Sequence, residues 1–279
     1  MLKKIQAIII ICRPVNIIIT FLVIMTAAII SQNEFEISKT ILLASLSGSF
    51  AAAGGYMIND ILDLKTDIIN RPLRILPSKK LGINTVLVFY LIFNLIAVTL
   101  TVFINFLSLI IMLFTIMILL LYSLLLKNNA IGGNLTIALL TGAAFIYGGA
   151  AVNNIGSTYI PAVLAFFVNL IREIIKDIED IDGDRKTGRR TLPVLYGIEA
   201  SVRAAVFLTL LLILLTIFPF AAEIYKIEYF ILVMMSVNLL LVYFIKEILR
   251  DHSIENARKM SNLLKISMVF GLISIYIGN

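Results

Sequence analysis

Cysteine occurs once in this chain, at Cys12, histidine once, at His252, and tryptophan not at all. One thiol excludes an internal disulfide and a thiolate metal cage. His252 follows Asp251 in a charged stretch and reads as a solvated loop residue. Charge is the larger shortage: 14% of the 279 residues are Asp, Glu, Lys or Arg, against 60% hydrophobic. The mean hydropathy is +1.02. A soluble domain of this length lacks the polar groups to cover its exterior, whereas a bilayer removes that need. The composition therefore places the chain among multi-span membrane proteins. A cleavable signal pattern is missing too, because the apolar stretch after Lys3 and Lys4 runs on into further spans.

What is present is a series of sparsely charged apolar runs, each long enough to cross ~30 Å of hydrocarbon at ~1.5 Å per residue. Nine emerge, near 14–31, 41–59, 83–104, 107–126, 131–151, 159–176, 203–221, 229–246 and 261–278. The uncharged stretch from Leu81 to Leu126 is too long for one helix and divides at Ile104-Asn105-Phe106. The expected fold is all-α and polytopic, with nine transmembrane helices in a single domain over 1–279. Spans one to four (about 14–126) and five to eight (about 131–246) form a pseudo-repeat, followed by the ninth span.

The net charge of +6 invites a nucleic-acid reading, but its distribution argues for topology instead. With the N-terminus inside, all of the 23 Lys and Arg residues except Lys39 and Lys226 fall on the cytosolic side. The expectation is a multi-pass cell-membrane protein with a cytosolic N-terminus and no nucleic-acid partner.

The acids are the informative charges. Nine of the 17 lie in two windows, Asp60, Asp63 and Asp67 at the end of span two, and Glu173, Asp177, Glu179, Asp180, Asp182 and Asp184 at the end of span six. Both windows are cytosolic in this topology. Asn59, Asp63 and Asp67 are four apart and stack on one helix face, as do Asn169, Glu173 and Asp177, while Asp177, Asp180 and Asp184 follow an i, i+3, i+7 stripe. Like charges so stacked destabilise a helix by ~0.2–0.5 kcal/mol per pair, and carboxylates near a helix C-terminus oppose the macrodipole. Something cationic must compensate. Carboxylate and amide oxygens are hard ligands, so Mg²⁺ is the natural ion, especially with phosphate oxygens completing its octahedron. A lone acidic run is commonly just a solvated face; two runs at equivalent helix ends, four spans apart, are not explained that way.

These residues resemble the UbiA-type intramembrane prenyltransferases. Asn59, Asp63 and Asp67 match that family's Asn-x3-Asp-x3-Asp motif, and Lys176, Asp177, Asp180, Gly183 and Asp184 match its second motif. Arg13-Pro14-x-Asn16, Tyr122-Ser123 with Lys127, and Gly133-Asn134 extend the likeness over nearly the whole chain. Within the superfamily, Asp67-Ile-Ile-Asn70-Arg71-Pro72-Leu-Arg74-Ile-Leu-Pro77-Ser78 and Arg172-Glu173-Ile-Ile-Lys176-Asp177 are similar to digeranylgeranylglyceryl phosphate synthases, which attach the second isoprenyl ether of archaeal-type lipids. Relatives acting on aromatic acceptors more often carry Tyr where Arg172 stands. Ile75 replaces a usual Pro and Lys79 a usual Gly.

The resemblance implies a helical bundle around a central cavity, capped by cytosolic loops two–three and six–seven. It implies two Mg²⁺ ions, one on Asn59, Asp63 and Asp67 and one on Asp177, Asp180 and Asp184, with Asp60 and Glu173 behind them. The ions would take up charge building on the diphosphate of an isoprenyl substrate. Lys127, Arg71 and Lys176 are candidate fixed cations on that diphosphate. Tyr122 and Tyr147 are candidate walls for the allylic cation. Asn16, in the first matching segment, is a candidate substrate-binding residue. Arg13, Arg74 and Arg172 are candidates for the phosphate of a lipid-phase acceptor, expected to be geranylgeranylglyceryl phosphate. An aromatic prenyltransferase of quinone or haem side-chain synthesis is the enzymatic alternative, and a divalent-cation transporter the alternative of another class.

Overall fold

In hydrocarbon every backbone polar group must bond internally, so apolar runs of this length fold as helices. The computed structural model describes residues 2–32 and 36–279, apart from the side chains of Leu2 and Lys3, so the flanking charge of Lys3 lies outside the described residues. Among these residues, nine helices are long and apolar enough to span a membrane: Pro14–Gln32, Lys39–Leu62, Ile83–Val102, Phe106–Leu124, Gly132–Ala151, Gly156–Glu179, Ile198–Ala221, Ile227–Arg250 and Ile254–Gly278. The architecture is all-α, as expected, and the division at Asn105 is real. Asn105 caps the fourth span by accepting from the Ser108 N–H at 2.8 Å, and its amide donates to the Ala150 carbonyl at 2.8 Å.

The last spans start earlier than the apolar pattern suggests. Ile198–Ala221 carries Glu199 and Arg203 in its opening turns, and Ile254–Gly278 begins behind a Ser253 cap. Charged first turns are solvated and still helical, which hydropathy alone does not register. In chain order the helices are α1 (Leu2–Ile11), α2 (Pro14–Gln32), α3 (Lys39–Leu62), α4 (Leu64–Asn70), α5 (Ile83–Val102), α6 (Phe106–Leu124), α7 (Gly132–Ala151), α8 (Tyr159–Glu179), α9 (Ile181–Thr187), α10 (Leu192–Tyr196), α11 (Ile198–Ala221), α12 (Ile227–Leu232), α13 (Leu239–Arg250) and α14 (Ile254–Gly278). A π-helical stretch, Val233–Asn238, joins α12 to α13 within the eighth span.

The chain divides into two compact units, Met1–Lys127 with Ala144–Thr158, and Asn128–Ala143 with Tyr159–Asn279. In the first, α3 packs against α2, α5 and α6. Small residues make that possible, and Gly148 of α7 shows how closely: an added Cβ would lie 2.6 Å from the Ile24 carbonyl oxygen and 2.7 Å from the Ala27 methyl. A second apolar cluster of Ala7, Ile11, Met57, Ile75, Leu76, Leu81 and Val86 anchors the loop after α4. In the second unit, α8 packs on α11 and α14 and buries Ile171, Ile175 and Ile178 completely. A two-residue parallel pairing, Asn129–Ala130 with Arg190–Thr191, ties the start of α7 to the segment before α10.

Candidate functional site

The first acidic window lies where a helix breaks. α3 ends at Leu62 and α4 starts at Leu64, with Asp63 between them at φ −90° and ψ 2°. The four-residue ladder survives the break: the Asp63 N–H donates to Asn59 O and the Asp67 N–H to Asp63 O, both at 2.8 Å. Asn59, Asp63 and Asp67 therefore remain in helical register, and Asp60, Asp63 and Asp67 are all buried.

Buried carboxylates this close require cations, and the protein supplies them. Asp60 accepts from Arg13 at 2.6 Å, Asp67 accepts from Arg74 at 2.7 Å, and Arg74 also reaches Asp60 at 3.5 Å. Lys127, at the end of the fourth span, is paired with Asp63 at 2.5 Å. Arg13 sits in the corner between α1 and α2 with φ 56° and lies over the Tyr56 ring, 4.7 Å from its centre. A left-handed non-glycine residue costs roughly 1–2 kcal/mol, so the corner holds this guanidinium against local strain. Burial pushes the Asp67 carboxyl above the usual carboxylate range, with Arg74 pulling the other way.

One polar atom in this window is left over. Asn59 donates to Asp63 Oδ2 at 2.9 Å, while its own carboxamide oxygen is buried without a donor. A buried oxygen with free lone pairs beside a carboxylate is the donor chemistry that a hard divalent cation takes.

The second window repeats the break. α8 ends at Glu179 and α9 starts at Ile181, with Asp180 between them at φ −99° and ψ 7°. Asp180 N–H donates to Lys176 O at 2.9 Å and Asp184 N–H to Asp180 O at 3.1 Å. Gly188, in the left-handed region at φ 73°, closes α9. Asp177 accepts from Asn134 of α7 at 2.7 Å. Asp184 is buried, with the Arg189 guanidinium at 3.5 Å. Glu173 is buried and accepts from both neighbouring cations, Lys176 at 2.7 Å and Arg172 at 3.1 Å. Glu179 accepts from Arg258 of α14 at 3.0 Å, which takes it out of the acidic set. Asp182 is exposed.

Among the described residues, no three His, Cys, Asp or Glu side chains stand close enough together to hold a metal ion. Arginine and lysine side chains supply part of the compensating charge inferred from the sequence.

The remaining candidates fall in different places. Arg71 is half-buried at the end of α4, its N–H on Asp67 O at 2.8 Å. Asn16 is half-buried in the first turn of α2, and Tyr122 is half-buried on α6. Tyr147 is enclosed by Ile24, Ala44, Ala97 and Met112, its hydroxyl shared with Ser47 at 2.6 Å and Thr101 at 3.0 Å. Its polar tip is thus satisfied inside the first unit. Sequence reasoning passed over several partnerships, among them Arg13 with Asp60, Lys127 with Asp63, Arg74 with Asp67, Asn134 with Asp177, and Arg189 with Asp184. An amide opening an apolar span and an arginine after Gly188 were the available signals.

The sequence pattern of the UbiA prenyltransferase family matches residues 17–269. The chain belongs to that family. A UbiA prenyltransferase is an enzyme, which removes the transporter alternative, and the chain is a multi-pass membrane prenyltransferase. A digeranylgeranylglyceryl phosphate synthase of Methanosphaera stadtmanae is 33% identical over 268 residues, 96% of this chain and 97% of that protein. A solved structure described as giving structural and mechanistic insights into the biosynthesis of digeranylgeranylglyceryl phosphate synthase in membranes is 34% identical. It superposes with a TM-score of 0.77, covering 99% of this chain and 98% of its own. A UbiA homolog from Archaeoglobus fulgidus, bound to GPP and Mg²⁺, shares the fold with a TM-score of 0.67 at 16% identity, covering 96% of this chain and 99% of its own. Both acidic windows lie inside the matched region of this UbiA prenyltransferase.

Proposed function

We propose that this enzyme transfers a geranylgeranyl group from its diphosphate to geranylgeranylglyceryl phosphate, forming the second ether of a dialkyl glycerol lipid. Support for the acceptor comes from the near-full-length likeness to digeranylgeranylglyceryl phosphate synthases. The single observation that carries the chemistry is the buried, donor-free Asn59 carboxamide oxygen beside Asp63, in a window whose three carboxylates are all buried. These residues fit a divalent ion, and Mg²⁺ is the ion bound with a prenyl diphosphate in the Archaeoglobus fulgidus homolog. Asn59, Asp63 and Asp67 would hold one ion, and Asp177, Asp180 and Asp184, which do not stand close enough together in this structure, would have to draw together to hold another. When bound, Mg²⁺ supplies Lewis-acid stabilisation of the charge that grows on the leaving diphosphate.

The protein's own groups do the rest. Lys127 and Lys176, oriented by Asp63 and Glu173 respectively, are our candidates for fixed positive charge toward the diphosphate, together with Arg71, so little reorganisation accompanies bond breaking. Asn134 holds the Asp177 carboxylate in one orientation. The apolar spans keep the allylic cation from water, with Tyr122 the aromatic candidate to face it. The acceptor hydroxyl attacks C1 of the prenyl chain as the C1–O bond to the diphosphate breaks, and its proton passes to the departing diphosphate as the ether forms. The active site and N-terminus lie on the cytosolic side in this reading, as the distribution of basic residues supports.

The test is turnover by purified protein with Mg²⁺, geranylgeranyl diphosphate and geranylgeranylglyceryl phosphate. The expected product is the doubly prenylated glyceryl phosphate, with Asp63→Asn and Asp180→Asn each lowering the rate by roughly 10²–10³-fold. Failure with this acceptor combined with turnover of a hydroxybenzoate or naphthoate would refute the acceptor and leave an aromatic prenyltransferase.

A further inference from the structure

Two buried hydrogen-bond donors on α8 have nothing to donate to. They are the Asn169 side-chain amide nitrogen and Nε of Arg172. Residues three apart on a helix are neighbours on one face, so both donors belong to one patch of α8. Asn169 is only 5% exposed, and the Arg172 side chain 14%. Buried donors are nearly always paired in native proteins, because leaving one unpaired forfeits its hydration with no return. Two on adjacent positions point to an acceptor that is not part of the chain.

The local charge says what kind. Arg172 and Lys176 both donate to Glu173, which accepts from Lys176 with both oxygens, at 2.7 and 2.9 Å, and from Arg172 at 3.1 Å. The other acid nearby, Asp177, is held by Asn134. An arginine tied to a carboxylate through one terminal nitrogen, with Nε still available, has the fork geometry that suits a phosphate. Lys176 keeps 26% of its side chain exposed, so the patch lies at the margin of the protein interior.

We propose that Asn169 and Arg172 form the subsite that binds the phosphate of the acceptor lipid, one to two helical turns deeper along α8 than Asp177. This rests on the acceptor proposed above. The same chemistry would also suit a phosphate of the prenyl diphosphate, and the kinetics separate the two sources. Arg13 and Arg74, the other arginines considered for this task, are committed to Asp60 and Asp67.

The experiment measures KM for each substrate in the wild type, Arg172→Gln, Arg172→Lys and Asn169→Leu. Arg172→Gln should raise the acceptor KM by roughly 10–100-fold, the usual worth of a hydrogen bond to a charged group. KM for geranylgeranyl diphosphate should stay within about twofold, and Arg172→Lys should recover part of the loss. Asn169→Leu is the decisive variant, because removing an unpaired buried donor should raise the melting temperature while still raising the acceptor KM. A rise confined to the diphosphate KM, or no change in either KM, overturns the proposal. If the wild type fails to use this acceptor, the proposed function falls and the subsite is read separately with glycerol phosphate alone. A thermal shift in the wild type that is lost in Arg172→Gln upholds the subsite, and no shift in the wild type overturns it.

Discussion

At the scale of single residues, the acidic windows are a problem in buried electrostatics with a local answer. Lys127 and Asp63 are both about nine-tenths buried and bound to each other. Removing one partner of such a pair strands a charge and typically costs about 3–5 kcal/mol, whereas removing both costs far less. Lys127→Ala should therefore lower thermal stability substantially, and Lys127→Ala with Asp63→Asn should recover much of it, as measured by melting in detergent. Equal destabilisation in the double variant would mean that the pair is not coupled. Cys12 offers an independent check. Burial pushes its thiol above the usual range, with a backbone hydrogen bond at Cys12 pulling the other way. The thiolate is the reactive form, so maleimide labelling should be slow at neutral pH and keep rising at alkaline pH beyond the point where an ordinary thiol levels off. Fast labelling at pH 7 would show an open thiol.

Elements are governed by how closely backbones approach and where helices are allowed to break. Gly148 lets α7 lie against α2, and any side chain there meets the Ile24 carbonyl and the Ala27 methyl. Gly148→Val should cost about 1–3 kcal/mol, the usual penalty for overpacking, and reduce the yield of folded protein in detergent. Unchanged yield and melting would mean that the two helices slide apart freely. The departures in the loop after α4 also have physical reasons. Ile75 is buried in the cluster with Ala7, Ile11 and Met57, a place where a branched aliphatic side chain gains more than a proline ring. Lys79 has φ 56°, the conformation that explains why glycine is usual there.

For the whole molecule, the consequence of charge placement is orientation. Lys226 and Lys186 are both exposed, in loops assigned to opposite sides. In a Cys12→Ser background, cysteine at position 226 should react with an impermeant thiol reagent on intact cells, and cysteine at position 186 only after permeabilisation. The reverse pattern would place the acidic windows outside.

Span number, the break at Asn105 and the two acidic windows were legible in the sequence, because bilayer thickness sets run length and a cluster of like charges is conspicuous in a chain with so few. The helix starts were less so: Glu199, Arg203 and Glu255 lie in helical turns that a hydropathy pattern excludes. The sequence by itself determined that this is a nine-span membrane protein with two acid banks at helix ends. Only the tertiary structure decided which cation meets which acid, that Asp63 and Asp180 sit at matching helix breaks, and that the Tyr147 hydroxyl is spent on Ser47 and Thr101. The physical reason is that composition and period reflect the solvent around a segment, whereas a hydrogen-bond partner depends on residues brought together from distant parts of the chain, such as Lys127 and Asp63.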